Sequence, residues 1–256
     1  VPATTVLETA GLSKDFSGVR ALDHLDLAVQ RGAIHSLMGP NGSGKTTFFN
    51  VVTGILPASE GRIFLEGRDL TAEKAHVRTE LGIGRTFQIP RVAPEMTCLE
   101  NAMLGLHCRT KADVFGTLLR RPFSRSRQEG QIRDRAVELL RLVGLEKAVH
   151  RPAKDLAWVE EQLLQLARAM ASQPKLLLLD EPTAGMGPAE SAEVKRVIAQ
   201  IREQGTTIIL VAHDLNLVND ISDLVTVINF GQKIAEGTVR EIQRDPAVME
   251  AYLGRE

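Results

Sequence analysis

Gly39-Pro40-Asn41-Gly42-Ser43-Gly44-Lys45-Thr46 fits the pattern GxxxxGK[ST] at every fixed position, and Thr47 follows it. That spacing is the chemistry of a phosphate loop. Glycines let the backbone turn tightly, so its N–H groups converge on an anion at the start of a helix. The lysine then supplies a point charge to the terminal phosphates, and the Thr46 hydroxyl is placed to ligate Mg²⁺. Read alone, the segment is a Gly-rich turn. The apolar run before it and the helix-like run after it supply the context that nucleotide binding requires.

Such a loop needs a partner acid at the end of another buried strand, and Leu176-Leu177-Leu178-Leu179-Asp180-Glu181 provides one. Asp180 is placed to hold Mg²⁺, directly or through water. Glu181, one residue on, is placed to polarise a water for attack on a γ-phosphate. An apolar run ending in Asp-Glu is by itself a common strand end, and only the phosphate loop gives it a function.

The elements that must position these groups follow from periodicity. Val19 to Val29 alternates and is closed by Arg31-Gly32; Ala33 to Met38 is a short apolar run into Gly39; Lys45 to Thr53 reads as a helix stopped by Gly54. Arg62 to Leu65 reads as a strand between Gly61 and Gly67. From about Ala93 to Ala171 the pattern is helical, with Arg133 to Val143 and Leu163 to Met170 as its clearest stretches. Leu176 to Leu179, Thr206 to Ala212 and Leu224 to Asn229 read as strands buried on both faces, and Ala189 to Gln204 as an amphipathic helix stopped by Gly205. Gly231 and Gly237 bracket a hairpin-like segment, and a short helical tail runs to Leu253. Alternating strand and helix predicts a mostly parallel sheet covered by helices.

Composition narrows the class. The chain has 256 residues, 43 % of them hydrophobic, enough for a sizeable core. Its 31 Lys+Arg against 32 Asp+Glu give no global pull toward nucleic acid. No apolar run approaches the ~20 residues that span a bilayer, no basic-then-apolar leader opens the sequence, and a soluble cytoplasmic protein is the plain expectation. Cys98 and Cys108 lie outside any CxxC or CxxH pattern and read as reduced thiols, with a disulfide as the lesser alternative.

Taken together, these motifs with Gln88, Pro182, His213 and the helical insert resemble an ABC transporter ATPase over nearly the whole chain. The resemblance implies an α/β fold: a P-loop NTPase (RecA-like) mixed sheet core with an N-terminal antiparallel β-subdomain and an inserted helical subdomain. Residues 1–88 and 171–256 would form the nucleotide-binding core, and 89–170 the helical subdomain carrying the signature motif. It implies ATP and Mg²⁺ as ligands. Gln88, in Arg85-Thr86-Phe87-Gln88, resembles the Q-loop residue that contacts Mg²⁺ and the attacking water. His213 resembles the switch histidine that contacts the γ-phosphate, and Phe16 the aromatic on which adenine stacks. The implied partners are a second ATPase subunit, two membrane permease subunits and, indirectly, a periplasmic or extracellular binding protein. The implied location is the cytoplasmic side of the inner or plasma membrane, held peripherally.

Within that family the segments Arg85 to Gln88, Glu95 to Asn101, His107 to Glu129 and Asp245 to Gly254 resemble the branched-chain amino-acid import branch. Urea and amide importers share most of these features. The insert from Arg109 to Arg127 carries six Lys/Arg and one acid, Asp113, around Val114, Phe115, Leu118 and Leu119. It reads as a solvated loop with a docked helix, or as a contact with lipid headgroups or the membrane subunit.

Two departures stand out. Where the family has LSGGQ or a close variant, this chain has Leu156-Ala157-Trp158-Val159-Glu160. Ala157 removes a hydroxyl, Val159 puts a β-branched side chain where backbone must approach a phosphate closely, and Glu160 puts a negative charge near an anion. The expectation is a weakened half-site toward a partner's nucleotide, with binding in the chain's own loop intact. Gly187 replaces the usual Asp of the D-loop. An ATP-binding regulatory subunit that closes but hydrolyses poorly is therefore the alternative. The lack of an NKxD to read guanine argues against a P-loop GTPase.

Overall fold

The computed structural model describes residues 5–110, 122–212 and 215–253. The chain opens with β1 (Thr5–Phe16) and β2 (Val19–Gln30), an antiparallel hairpin. Its turn residues Ser17 and Gly18 both have positive φ, 42° and 95°, the two-residue turn that matches strand twist. Then come β3 (Ile34–Met38), α1 (Lys45–Val52), β4 (Glu60–Leu65) and β5 (Arg68–Asp69). Next are α2 (Ala75–Leu81) and β6 (Ile83–Arg85), followed by the helices α3 (Cys98–Thr110), α4 (Pro122–Leu142) and α5 (Trp158–Ala171). Strand and helix then alternate through β7 (Leu176–Asp180), α6 (Pro188–Glu203), β8 (Thr207–Val211), α7 (Leu215–Ile221) and β9 (Leu224–Asn229). β10 (Gln232–Gly237), α8 (Val239–Ile242) and α9 (Pro246–Leu253) close the described chain.

Two sheets result. One has the order β2-β1-β4-β5 and is antiparallel; the other has the order β10-β9-β3-β8-β7-β6, parallel except for β10. The larger sheet is buried on both faces, which explains its unbroken apolar strands. Leu177 and Leu179 of β7 and Ile208 and Leu210 of β8 face a core shared with α3 to α7. Leu176, Leu178, Ile209 and Val211 face the other way, onto Phe48 and Phe49 of α1 and the inner side of the smaller sheet. Arg78 of α2 secures α1 from behind: its Nη1 donates to the carbonyls of Val51 (2.7 Å) and Val52 (2.8 Å) in the last turn of the helix.

Several boundaries differ from the sequence reading. The strands β1 and β6 and the helix α2 carry no clear periodic signal. α5 begins at Trp158, five residues before Leu163, so most of the signature segment is already helical. The basic insert from Arg109 to Arg127 lies largely outside the described residues. Cys98 is free and buried at the start of α3.

Candidate active site

The parallel register brings Leu37, Val211 and Asp180 side by side at the carboxyl ends of β3, β8 and β7. That edge is where ligands settle in open α/β sheets. From it, residues 39–44 run into α1. A Cβ on Gly39 would lie 2.1 Å from the Ile228 carbonyl oxygen, and one on Gly44 would lie 2.5 Å from that of Ala21. Only glycine fits this cradle, because the smaller sheet and the β9–β10 turn press on its back. Gly231 N–H donates to the Ser43 carbonyl at 2.9 Å and completes that contact.

Lys45 is buried at the head of α1. Its Nζ donates to the carbonyls of Gly39 (2.7 Å) and Pro40 (2.8 Å), with Ser43 Oγ at 3.4 Å. Burial pushes its ammonium below the usual lysine range, against the pull of Glu181 and Asp180. Thr46 is exposed and Thr47 half-buried, as are Pro40 and Gly44; Asn41 and Gly42 lie at the open lip.

Asp180 ends β7, and its Oδ2 accepts from Arg85 Nη2 at 3.1 Å in a buried pair. Glu181 follows with φ of 47°, a left-handed conformation that costs a non-glycine residue about 1–3 kcal/mol. Its N–H is fixed to the Val211 carbonyl at 2.8 Å, and its Oε2 accepts from Gln88 Nε2 at 2.9 Å. The structure thus brings Gln88 to Glu181. Beneath Gln88, α5 supplies two buried glutamines. Gln162 Nε2 donates to the Gln88 carbonyl at 3.0 Å. Gln165 closes a two-bond pair with Phe87, Nε2 to its carbonyl at 2.8 Å and Oε1 from its N–H at 3.0 Å.

Phe16 ends β1 with 41 % of its surface exposed, and the Lys14 ammonium stands 5.2 Å from its ring centroid. His213 lies outside the described residues. In the signature segment, Leu156 and Val159 are buried, Ala157 and Trp158 are exposed, and Glu160 is half-buried. The Val159 side chain packs into the core of the helical region. Glu160 is paired with Arg151 and accepts from the Ala157 N–H at 2.8 Å. Burial disfavours its charge, but these two partners outweigh burial and hold the carboxyl below its usual range.

Sequence reasoning missed the roles of Arg85, Gln162 and Gln165. The two glutamines had a faint signal, polar residues three apart on the apolar side of a helix. Among the described residues no group of three or more His, Cys, Asp or Glu forms a metal cage. Mg²⁺ needs none, since it is commonly held by one or two carboxylates plus phosphate oxygens and water. The glycine-only cradle, the exposed Thr46 and Asp180, whose Oδ2 alone is hydrogen-bonded among the described residues, fit that chemistry.

Sheet order, loop and acid define the class: a P-loop nucleotide-hydrolysing domain. Comparison with known proteins narrows it. The family described as ABC transporter matches residues 22–184, and the chain belongs to it as an ATP-binding, ATP-hydrolysing subunit. A second family, described as branched-chain amino acid ATP-binding cassette transporter, matches residues 232–256. The chain is 40 % identical over 250 residues to the high-affinity branched-chain amino acid transport ATP-binding protein LivG of Salmonella typhimurium, spanning 97 % of this chain and 98 % of that one. It is 38 % identical to BraF of Pseudomonas aeruginosa, described in the same words, with the same coverage. The solved ADP conformation of an ATP-binding cassette of an ABC transporter superposes with a TM-score of 0.86 at 32 % identity, covering 98 % of this chain and 99 % of that one.

Proposed function

We propose that this chain powers an importer of branched-chain amino acids by hydrolysing Mg-ATP, with urea or amides as the alternative cargo. The observation that carries the cargo is the match at residues 232–256, a segment distinct from the nucleotide-binding motifs. No described helix is long and apolar enough to cross a membrane, so transport requires partners. These are a second ATPase subunit and two membrane permease subunits, with an external binding protein acting through them. The chain sits peripherally on the cytoplasmic face, and nucleic acid has no part. Residues 1–88 and 171–256 act as the nucleotide-binding core, and 89–170 as the helical arm that passes closure to the permease.

In this reading the backbone N–H groups of residues 41–46 and the Lys45 ammonium take the phosphates, with Lys45 exchanging its loop carbonyls for phosphate oxygens. Thr46 and Asp180 hold Mg²⁺, which supplies charge neutralisation at the phosphates when bound. Glu181, aimed by Gln88, accepts the proton of a water whose oxygen bonds the γ-phosphorus. The bond to the β–γ bridging oxygen breaks, leaving ADP and inorganic phosphate. Phe16 stacks on adenine, and His213 contacts the γ-phosphate. The partner chain's signature completes each site, as Leu156 to Glu160 do for the partner.

The rival, a regulatory subunit with weak hydrolysis, rests on the sequence departures at Val159 and Gly187, and the burial of the Val159 side chain weakens the first of them. The test is the chain reconstituted with its permease in proteoliposomes carrying internal Mg-ATP. Leucine uptake that disappears with Glu181→Gln supports the proposal. Turnover indifferent to that substitution removes Glu181 as the base, uptake of urea but not leucine removes the cargo, and negligible wild-type turnover favours the rival.

A further inference from the structure

Arg85 is the least explained buried charge in the molecule. It ends β6 with its side chain only 8 % exposed, and five groups from three parts of the fold converge on it. Nη2 donates to Asp180 Oδ2 at 3.1 Å, while Nη1 donates to Asn50 Oδ1 at 2.6 Å, with Thr53 Oγ1 at 3.4 Å. The guanidinium lies 5.4 Å from the Phe49 ring centroid and 4.9 Å from that of Phe87. Asn50, Thr53 and Phe49 belong to the helix that starts with Lys45 and Thr46, or to its cap. Phe87 immediately precedes Gln88.

A buried ion pair is a poor source of stability, since desolvation offsets most of its attraction, and apolar side chains would serve as well. What the rigid planar guanidinium provides is geometry: Nη2 reaches the Asp180 carboxylate and Nη1 reaches the α1 side chains, so one group sets the spacing between them. Here one end of the fork occupies Oδ2, so Oδ1 is the oxygen left for a cation. The other end grips the phosphate-loop helix one turn beyond the Thr46 hydroxyl. We propose that Arg85 is a positioning residue that holds Asp180 in fixed register with Thr46, so that both present oxygen to one Mg²⁺. The inference rests on the Mg²⁺ site proposed above.

The test uses the full-length chain and reads nucleotide binding rather than turnover. ADP is titrated calorimetrically in EDTA and across a Mg²⁺ series, for wild type and Arg85→Lys, which keeps the charge and loses the fork. Expected is an unchanged ADP affinity in EDTA and a half-saturating Mg²⁺ concentration raised about tenfold, the usual effect of losing a partner behind a metal ligand. In an Asp180→Asn background Arg85→Lys then adds no further shift, because its effect runs through that carboxylate. Asn50→Ala keeps the ion pair but frees the guanidinium from α1, and moves the Mg²⁺ series in the same direction by less. A fall in ADP affinity that is equal with and without Mg²⁺ makes Arg85 a structural clamp and overturns the proposal. So does an unmoved Mg²⁺ series, or a shift that persists beside Asp180→Asn. Wild-type ADP binding indifferent to Mg²⁺ overturns the metal site itself, and this inference with it.

Discussion

Gln165→Leu isolates what α5 does for the catalytic edge. Leucine keeps nearly the same volume in a position only 5 % exposed, so packing changes little. What disappears is the paired contact with Phe87, 2.8 Å and 3.0 Å, the Arg91 N–H donated to Oε1 at 3.4 Å, and the 3.2 Å bond to Gln162 Oε1. Each backbone group left without a partner in a buried setting costs about 1–3 kcal/mol. Phe87 is half-buried, so water recovers part of this, and the expected loss is about 2 kcal/mol. For a chain of this size that lowers the melting temperature by about 4–8 °C. The second effect is specific. The Gln88 side chain is hydrogen-bonded to Glu181, so loosening its backbone should lower kcat of the assembled ATPase while leaving ADP affinity of the isolated chain within about twofold. Thermal unfolding and calorimetric ADP binding read the two effects separately. A melting temperature unchanged within a degree or so, or ADP affinity that falls as far as kcat, would refute the view that Gln165 acts by holding Phe87 and Gln88.

Three further outcomes follow from other contacts. His35 on β3 donates to Thr226 Oγ1 at 2.8 Å, and burial pushes its pKa down to about 4, against the pull of Glu236 and with Lys233 adding to the fall. The unfolded chain therefore binds a proton that the fold refuses, stability falls as pH drops from 6.5 toward 4, and wild type should lose about 2 kcal/mol more than His35→Gln between pH 7 and pH 5 in urea unfolding. Gly44→Ala forces a Cβ to 2.5 Å from the Ala21 carbonyl oxygen at a φ of 106°; it should destabilise by about 1–3 kcal/mol and weaken ADP binding, and full ADP affinity would contradict the cradle. Arg151→Ala removes the partner of Glu160; in the assembled ATPase turnover should fall about fivefold and recover with salt, while ADP binding to the isolated chain stays constant.

The parts of this molecule legible in its sequence are those fixed by local spacing. The loop from Gly39 to Thr46 and the run from Leu176 to Glu181 each carry their chemistry within eight residues, and strands buried on both faces read as plain apolar runs. β1 was hidden because register shifts between Thr9 and Asp15 break its alternation. β6 has three residues, one of them Gly84, which is too few for a period to register. Arg85 acquires its role only when β6 lies beside β7, and Gln165 only when α5 passes under Phe87. Both depend on neighbours far along the chain, roughly 80 to 95 positions away, and no local pattern encodes which neighbour that is.

The two places where the chain departs from its family's pattern have the same local architecture. α5 starts on Ala157, which has no side-chain oxygen to cap a helix, and Glu160 reaches back to the Ala157 N–H instead. α6 starts on Gly187, with Pro188 at its first position, and Glu190 reaches back to the Gly187 N–H at 2.9 Å. In both, a glutamate three residues into the helix accepts from the capping residue's own N–H, the half of a capping box that needs no side-chain oxygen on the capping residue. Trp158 joins the two, its indole N–H donating to the Ala184 carbonyl at 3.2 Å, and Ala184 N–H in turn donates to the Glu181 carbonyl at 3.1 Å. The altered signature is therefore an ordered helix start, with Val159 turned into the core and the charge of Glu160 matched by Arg151. Of the two reasons for expecting a weak half-site, the bulk of Val159 is buried and the charge of Glu160 is half-buried and paired. What remains altered is the lost hydroxyl at Ala157 and the exposed indole of Trp158, which ties the signature to the segment after this chain's own Glu181.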